Sequence, residues 1–476
     1  MPKKPGKFYI TTTLPYVNAD PHIGFALEII QADVVARFYR ENGYEVFFNT
    51  GTDEHGLKVF RGAQKQNIDT QKYCDAYAEK NKNLKSALNL SYDNFIRTTD
   101  QSHMRSAQEF WTRCADNGDI YKKIYKVKYC VGCELEKTES ELVDGKCPIH
   151  PNLELEIIEE ENYFFKYSKY QKPLLDFYKK NKDFVIPESR YNEIKEFTKR
   201  GLEDFSISRL KEKMPWGVSV PNDDKHVMYV WFDALVNYIS ALGWPENSQK
   251  FKDFWPGLQV AGKDNLRQQS SMWQAMLLSA GLPNSKQIFI HGFITANGQK
   301  MSKSLGNVIN PIELVKKYGT DAVRYYLLRE IHSTEDGDFT YEKFEQRYNA
   351  DLAGGIGNLV SRVITMAAKL NATSESKNVK LKKEIERVKK VCAKAVEEFK
   401  FNEALKIIWE LISWCDKYIN QEKPWEQKAG TEKVVSDLLF ALGNIAEMLK
   451  PFLPETSGKI EKSVVELKTE SLFPRI

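Results

Sequence analysis

The chain has no apolar run approaching the roughly 18 residues that a membrane-spanning helix needs, so it is expected to have no membrane association. No signal peptide is expected either. Met1-Pro2-Lys3-Lys4-Pro5-Gly6 runs straight into a short apolar strand, with no h-region and no cleavage site. Net charge is scarce, with 69 Lys+Arg against 65 Asp+Glu leaving +4. That excludes a bulk polycation and confines any nucleic-acid contact to local patches. Cysteine is sparse and odd in number, seven in 476 residues. Without a secretory signal this points to reduced thiols in the cytoplasm, some of which could hold a metal. Internal repeats and low-complexity tracts are absent. The composition is ordinary and globular, 42% hydrophobic and 28% charged, and the length suggests about three domains.

The first 50 residues carry a strand–helix–strand signal. Residues 8–13 are rich in β-branched and aromatic side chains, 23–39 have apolar residues at helical spacing, and 46–50 return to a strand. Such a βαβ unit implies a parallel sheet covered by helices. From 120 to 221 the texture changes to clustered cysteines, an acidic run and many tyrosines, which reads as an inserted domain. The α/β pattern then resumes, with strands predicted at 227–230, 259–261 and 287–291 and a helix at 270–279. Beyond about Asp351 only helical periodicity remains, at 359–370, 381–399, 404–419 and 434–449, which reads as a bundle.

Four stretches carry chemistry. Cys130-x2-Cys133 and Cys147-x2-His150 each flank or follow a turn (Val131-Gly132, Asp144-Gly145). Three thiolates and one imidazole can close a tetrahedral shell around one zinc ion, leaving no position for water, so the metal would be structural. Pro21-His22-Ile23-Gly24-Phe25 lies where the first strand hands over to the first helix. There the helix amides favour an anion, Gly24 allows close backbone approach and His22 can donate to a phosphate. Lys300 and Lys303, in Gly298-Gln299-Lys300-Met301-Ser302-Lys303-Ser304-Leu305-Gly306, are mobile point charges suited to phosphate that gains charge in a transition state. Trp231, Ala234 and Tyr238 are expected on one face of a single helix, where they could wall an apolar pocket.

Together these stretches resemble the class I aminoacyl-tRNA synthetases. His22-Ile23-Gly24-Phe25 is similar to their "HIGH" element, and Lys300-Met301-Ser302-Lys303-Ser304 matches their "KMSKS" loop. More narrowly, the chain resembles the methionyl-tRNA synthetase family, through Leu14-Pro15-Tyr16-Val17-Asn18, Gly51-Thr52-Asp53-Glu54-His55-Gly56, the cysteine-histidine cluster, Tyr229-Val230-Trp231-Phe232-Asp233-Ala234 and Gly262-Lys263-Asp264. Gly357-Asn358-Leu359-Val360-Ser361-Arg362 and Lys423-Pro424-Trp425-Glu426 extend the resemblance to the C-terminal region.

The resemblance implies an α/β fold, a Rossmann-type parallel-sheet catalytic domain split by a zinc-binding insertion and followed by an α-helical anticodon-binding bundle. Its divisions are expected at 1–119 and 222–296 for the catalytic halves, 120–221 for the insertion, 297–350 for the lysine loop and stem-contact segment, and 351–476 for the bundle. The implied reaction joins methionine and ATP, with magnesium, into methionyl-adenylate and pyrophosphate, then moves methionyl to tRNA(Met). Leu14, Tyr16, Asp53, Trp231, Ala234, Tyr238 and Gln269 would form the methionine site, with Asp53 on the ammonium. His22, Gly24, Asp264, Lys300 and Lys303 would hold ATP, with His22, Lys300 and Lys303 acting in catalysis. Asn358, Arg362 and Trp425 would read the anticodon by hydrogen bonds and stacking. A monomer is the simplest expectation.

Two positions depart from the family pattern. Phe25 stands where a second histidine is usual, and Gln269 replaces a pocket histidine. The implied rivals are a synthetase for another amino acid, which for isoleucine, valine or leucine would need a larger editing insertion, and a tRNA-binding paralogue that has lost its chemistry.

Overall fold

The computed structural model describes residues 6–133, 135–137, 141–301, 306–370 and 372–476. Two compact units emerge from it. Unit one comprises residues 1–21, 44–83 and 92–290, and unit two comprises 22–43, 84–91 and 291–476.

Unit one is organised on a six-stranded sheet in the order Asn94–Arg97, Glu45–Thr52, Lys7–Thr12, Leu258–Gly262, Gln287–His291, Val185–Ile186. Lys7–Thr12 pairs in parallel with Glu45–Thr52 on one side (Ile10 opposite Phe48) and with Leu258–Gly262 on the other (Ile10 opposite Leu258). All five residues of Leu258–Gly262 are buried, as expected of a central parallel strand covered on both faces. The chain builds outward from Lys7–Thr12 in one direction, then returns to its other side with Leu258–Gly262. The carboxyl ends of these two strands therefore flank a topological switch point, where open α/β sheets bind ligands. One glycine sets the sheet spacing near this edge. A Cβ on Gly51 would stand 1.8 Å from the Ile96 carbonyl oxygen, so only glycine lets Glu45–Thr52 and Asn94–Arg97 meet there.

A long antiparallel hairpin, Ile120–Cys130 with Glu156–Phe165, rises from unit one with register Ile120 opposite Phe165 and Tyr129 opposite Glu156. The cysteine-histidine cluster sits at its far end. Below it an aromatic core gathers Phe110, Trp111, Phe165, Tyr167, Phe232, Tyr238 and Trp273.

The predicted strands and helices occur close to their expected places, with three informative differences. The strand expected at 227–230 ends at Met228, and a helix begins at Val230. The helix expected at 270–279 starts as a π-helical turn, Gln268–Met272, before becoming α-helical at Trp273–Ser279. Finally, Trp231, Ala234 and Tyr238 do not share one continuous helix. Val230–Ala234 and Asn237–Ser240 are separate short helices. Asn237 Nδ2 donates to the Ala234 carbonyl at 2.6 Å, a side-chain bond that competes with helical continuation.

Unit two holds helix Ile23–Glu41, the helix pair Pro311–Tyr318 and Thr320–Arg329, a small sheet, and a bundle of Asn358–Leu370, Val379–Glu397, Phe401–Glu422, Thr431–Leu449 and Pro454–Glu466. The last helix lies beyond those expected from periodicity. A fully buried guanidinium fastens distant parts of this unit. Arg324 donates to the carbonyls of Leu88, Pro451 and Phe452 and pairs with Asp33 at 2.8 Å. Asp33 also pairs with Arg37 and accepts from the Ser91 amide and hydroxyl. Burial opposes the Asp33 charge, yet Arg324 and Arg37 hold its carboxyl below the usual range. Among the described residues no helix is long and apolar enough to cross a membrane.

Candidate active site and metal centre

The carboxyl end of Lys7–Thr12 continues into the half-buried Leu14 and Tyr16. Tyr16 forms a parallel bridge with Asp53, which follows the neighbouring strand Glu45–Thr52. The Asp53 amide donates to the Pro15 carbonyl at 3.0 Å, and the Val17 amide donates to the Asp53 carbonyl at 3.2 Å. Asp53 is 3% exposed. The Tyr16 ring meets Trp231 edge-on with centroids 6.3 Å apart. Ala234 and Tyr238 are buried on the two short helices that follow. Gln269, in the π-helical turn, donates through Nε2 to the Tyr238 hydroxyl at 2.5 Å. Tyr238 in turn lies against Trp273, ring centroids 5.9 Å apart. The buried Gln269 Oε1 and Trp231 Nε1 have no hydrogen-bond partner among the described residues. Buried polar atoms in that condition are expected to meet a ligand or ordered water. A carboxylate, an aromatic wall and two unsatisfied polar atoms thus line the switch-point edge of unit one. Asp264 stands at the same carboxyl edge, exposed on the turn Lys263–Asn265 after Leu258–Gly262.

Sequence reasoning missed a polar network beside these residues. Asp233 is buried between His55, whose Nδ1 donates to Oδ2 at 2.6 Å, and His103, whose Nε2 donates to Oδ1 at 2.9 Å. Although burial works against its charge, the two imidazoles pull the Asp233 pKa down to about 2. Next to it, Glu54 accepts a two-nitrogen clasp from Arg97 at 2.6 and 2.9 Å. The one available signal was position: His55, Asp233 and Glu54 fall inside the motif stretches already singled out.

In unit two, His22 is the N-cap of helix Ile23–Glu41, its Nδ1 accepting from the Gly24 amide at 3.1 Å. That bond fixes the tautomer. Nδ1 must be unprotonated, so a neutral ring carries its proton on Nε2 and offers it outward. The surrounding protein lowers the His22 pKa by desolvation, with Glu28 opposing. Gly24 has a more immediate role than ligand approach. A Cβ there would lie 2.9 Å from the His22 ring, so glycine is what lets the histidine fold back over the helix start. Phe25 is 9% exposed and packs inside. Lys300 is exposed on the short strand Gln299–Lys300, after a two-residue turn in which Asn297 and Gly298 both have positive φ, 52° and 72°. This is the type I′ hairpin for which Asn-Gly is favoured. Lys303 lies outside the described residues.

Asn358 and Arg362 stand four residues apart on helix Asn358–Leu370, hence on one face. Arg362 reaches Asn420 at 3.3 Å, and its guanidinium lies 5.7 Å from the Trp425 ring centroid. Trp425 is 50% exposed on the turn Pro424–Glu426. The three predicted anticodon residues therefore adjoin, presented outward.

At the hairpin end of unit one, the ligand atoms of Cys130, Cys133, Cys147 and His150 all lie within 4.8 Å of one another. Cys133 Sγ is 3.2 Å from His150 Nδ1 and 3.4 Å from Cys147 Sγ, far beyond a disulfide bond of about 2.05 Å. Gly132 makes room for the imidazole, because a Cβ there would lie 2.6 Å from the His150 ring. Asp144 and Gly145, both at positive φ, form the turn that delivers Cys147. This four-atom cluster could hold a metal ion.

Residues 8–154 and 138–364 match the family model for class I tRNA synthetases (M), and residues 380–473 match the anticodon-binding domain of tRNA ligases. The chain belongs to the methionine–tRNA ligase family. It is 44% identical to the methionine–tRNA ligase of Thermotoga maritima, across 96% of this chain and 75% of that protein. It is also 44% identical to that of Thermosynechococcus vestitus, across 95% of this chain and 89% of that protein. Among solved structures it is similar to Mycobacterium tuberculosis methionyl-tRNA synthetase in complex with methionyl-adenylate. The TM-score is 0.92 at 36% identity, covering 99% of this chain and 98% of that one. The enzyme class is that of the methionine–tRNA ligase family, an ATP-dependent aminoacyl-tRNA ligase. Its fold is the Rossmann-type sheet with a metal-cluster insertion and a helical anticodon-binding region.

Proposed function

We propose that this methionine–tRNA ligase holds its amino acid in the switch-point pocket of unit one. Asp53 pairs with the methionine ammonium, and Leu14, Tyr16, Trp231, Ala234, Tyr238 and Gln269 enclose the side chain. The reading is carried by one observation: a nearly fully buried carboxylate bridged to Tyr16, whose ring meets Trp231, at the carboxyl edge of the central strands. A carboxylate pairs directly with an ammonium, and sulfur–aromatic contacts favour a thioether beside the rings.

The methionine carboxylate then attacks the α-phosphorus of ATP as the bond to pyrophosphate breaks. His22 donates from Nε2 to a phosphate oxygen, and Gly24 lets the nucleotide approach the backbone at the helix start. Asp264 contacts the nucleotide. Lys300 and Lys303 stabilise the charge that gathers on departing pyrophosphate, and magnesium accompanies the phosphates. A hydroxyl at the tRNA terminus next attacks the methionyl carbonyl, releasing AMP. Asn358, Arg362 and Trp425 read the anticodon of tRNA(Met), with Trp425 stacking on a base.

Cys130, Cys133, Cys147 and His150 hold one zinc ion. Three thiolates and an imidazole form a closed tetrahedral donor set whose contribution is structural. The divisions are 1–119 and 222–296 for the catalytic halves, 120–221 for the insertion, 297–350 for the lysine loop and 351–476 for anticodon binding. The enzyme works as a cytoplasmic monomer. ATP–pyrophosphate exchange over a panel of amino acids tests the core of this reading: exchange should require methionine, and exchange driven equally by another amino acid would overturn it.

A further inference from the structure

Below the pocket, four buried side chains form one continuous polar chain. His55 Nδ1 donates to Asp233 Oδ2 at 2.6 Å, Asp233 Oδ1 accepts from His103 Nε2 at 2.9 Å, and His103 Nδ1 lies 2.8 Å from Ser240 Oγ. Asp233 and His103 are fully buried, and His55 and Ser240 nearly so. Desolvating a carboxylate and two imidazoles is costly, and apolar side chains of similar volume could fill the same space. What the polar chain supplies instead is direction and fixed length.

The addresses of its members matter. His55 lies two residues beyond Asp53, Asp233 lies between Trp231 and Ala234, and Ser240 lies two residues beyond Tyr238. Each of these three is therefore one or two residues from a pocket wall. His103 comes from helix Gln101–Asp116, which carries none of the proposed pocket residues, yet it joins the two short helices to each other through Asp233 and Ser240. His55 closes the chain back to the sheet edge. The break between those two helices at Leu235–Val236 is spanned by this chain as well as by the Asn237–Ala234 bond.

We propose that His55, Asp233, His103 and Ser240 are positioning residues that set the spacing of the methionine-pocket walls, and so govern how tightly and selectively methionine is held. The proposal rests on the pocket reading above. A misplacement of about 1 Å in a positioned site can cost about 10²-fold, and hydrogen bonds of these lengths restrain their partners to a few tenths of that.

The test is ATP–pyrophosphate exchange on folded, active-site-titrated enzyme, with methionine KM, ATP KM and melting temperature measured in parallel. His103→Leu should raise the methionine KM about tenfold or more, weaken rejection of the longer homologue ethionine, and leave the ATP KM within about twofold. His103→Gln, which can still donate to Asp233, should recover most of the loss. Should His103→Leu fail to fold, Asp233→Asn keeps the shape while setting an amide donor against one imidazole N–H, and should show the same split. A lowered melting temperature with wild-type methionine KM and selectivity in the variants that fold overturns the proposal. Asp53→Asn separates the two levels. If it leaves the methionine KM unchanged, the pocket reading itself has failed; if it raises the KM while the His103 and Asp233 variants do not, only the positioning role has failed.

Discussion

The proposed methionine pocket and the proposed anticodon trio follow opposite building rules. Around the pocket, the polar side chains that position its walls are buried and held by partners far away in sequence, as Asp233 is by His55 and His103. In the trio, Trp425 is half exposed, Asn358 and Arg362 share a helix face by spacing, and Arg362 is held only at the surface, by Asn420 and Asp416. A small ligand has few atoms with which to be recognised, so its site must be rigid before it arrives. An RNA loop brings many contacts and can be met by side chains waiting at a surface. Substitutions should accordingly be severe and local in the pocket, and mild and separable at the trio.

The sharpest break with this contrast would come at Asp53. Asp53→Ala should abolish methionine-dependent pyrophosphate exchange, since leaving a buried charge without its partner costs about 3–5 kcal/mol, or some two to four decades in kcat/KM. Wild-type methionine binding in that variant would remove Asp53 from the site. Lys303→Ala comes next. It should slow adenylation steeply in single-turnover measurements while methionine binding stays nearly unchanged, because its charge matters most as the phosphates gain negative charge. In the proposed phosphate site the packed Phe25 supplies no second donor of the kind usual in the family, so more of the effect is expected at the lysines.

At the trio, Trp425→Ala should lower aminoacylation by about one to two decades, the equivalent of one stacking contact of about 1–3 kcal/mol. Exchange without tRNA should remain intact, and an equal loss of both would mean that the tryptophan supports folding rather than recognition. For the hairpin end, metal analysis should find near one zinc per chain. A clean zero in active protein never exposed to chelator would remove the metal assignment.

The smallest effect concerns His22. Its pKa lies below the ordinary 6.5, so the folded state disfavours the imidazolium. The helix cap that depends on unprotonated Nδ1 is fully present above the unfolded pKa and is lost as pH falls through the lower folded value. A pH profile of adenylation should therefore stay level down to the ordinary imidazole range and fall below it. His22→Asn, which can still cap the helix, should keep the melting temperature while lowering the adenylation rate. A fall in both together would tie the residue to folding alone.

The elements most legible in the sequence were those that local periodicity dictates. Gln287–His291 and the main bundle helices appear within a few residues of where apolar spacing puts them. Paired ligands at short spacing were equally legible, because Cys130 to His150 need only one hairpin end to meet. What local pattern could not give was anything fixed by distant partners. The His55–Asp233 bond spans 178 residues, and no periodicity announces it. The break after Ala234 coincides with an asparagine side chain turning back to a carbonyl and with the distant His103 bridging both short helices. Gly24 was read as a place for a ligand, whereas its immediate neighbour in the structure is the ring of His22.

The buried Arg324 also has a consequence for how the protein is made. Its guanidinium binds Asp33 on the first helix and the carbonyls of Pro451 and Phe452 near the last one. At ribosomal rates of about 5–20 residues per second, the stretch between Asp33 and Phe452 takes roughly 20–80 s to synthesise. For most of that interval the nascent first helix carries an aspartate that has Arg37 and Ser91 but not Arg324, and Arg324 in turn emerges long before its last two acceptors. Unit two can close only when the chain is nearly complete, whereas the residues of the central sheet are all available by His291. A chaperone that shelters the early helix should thus be released late, and truncation before Pro451 should trap nascent chains in a protease-sensitive state.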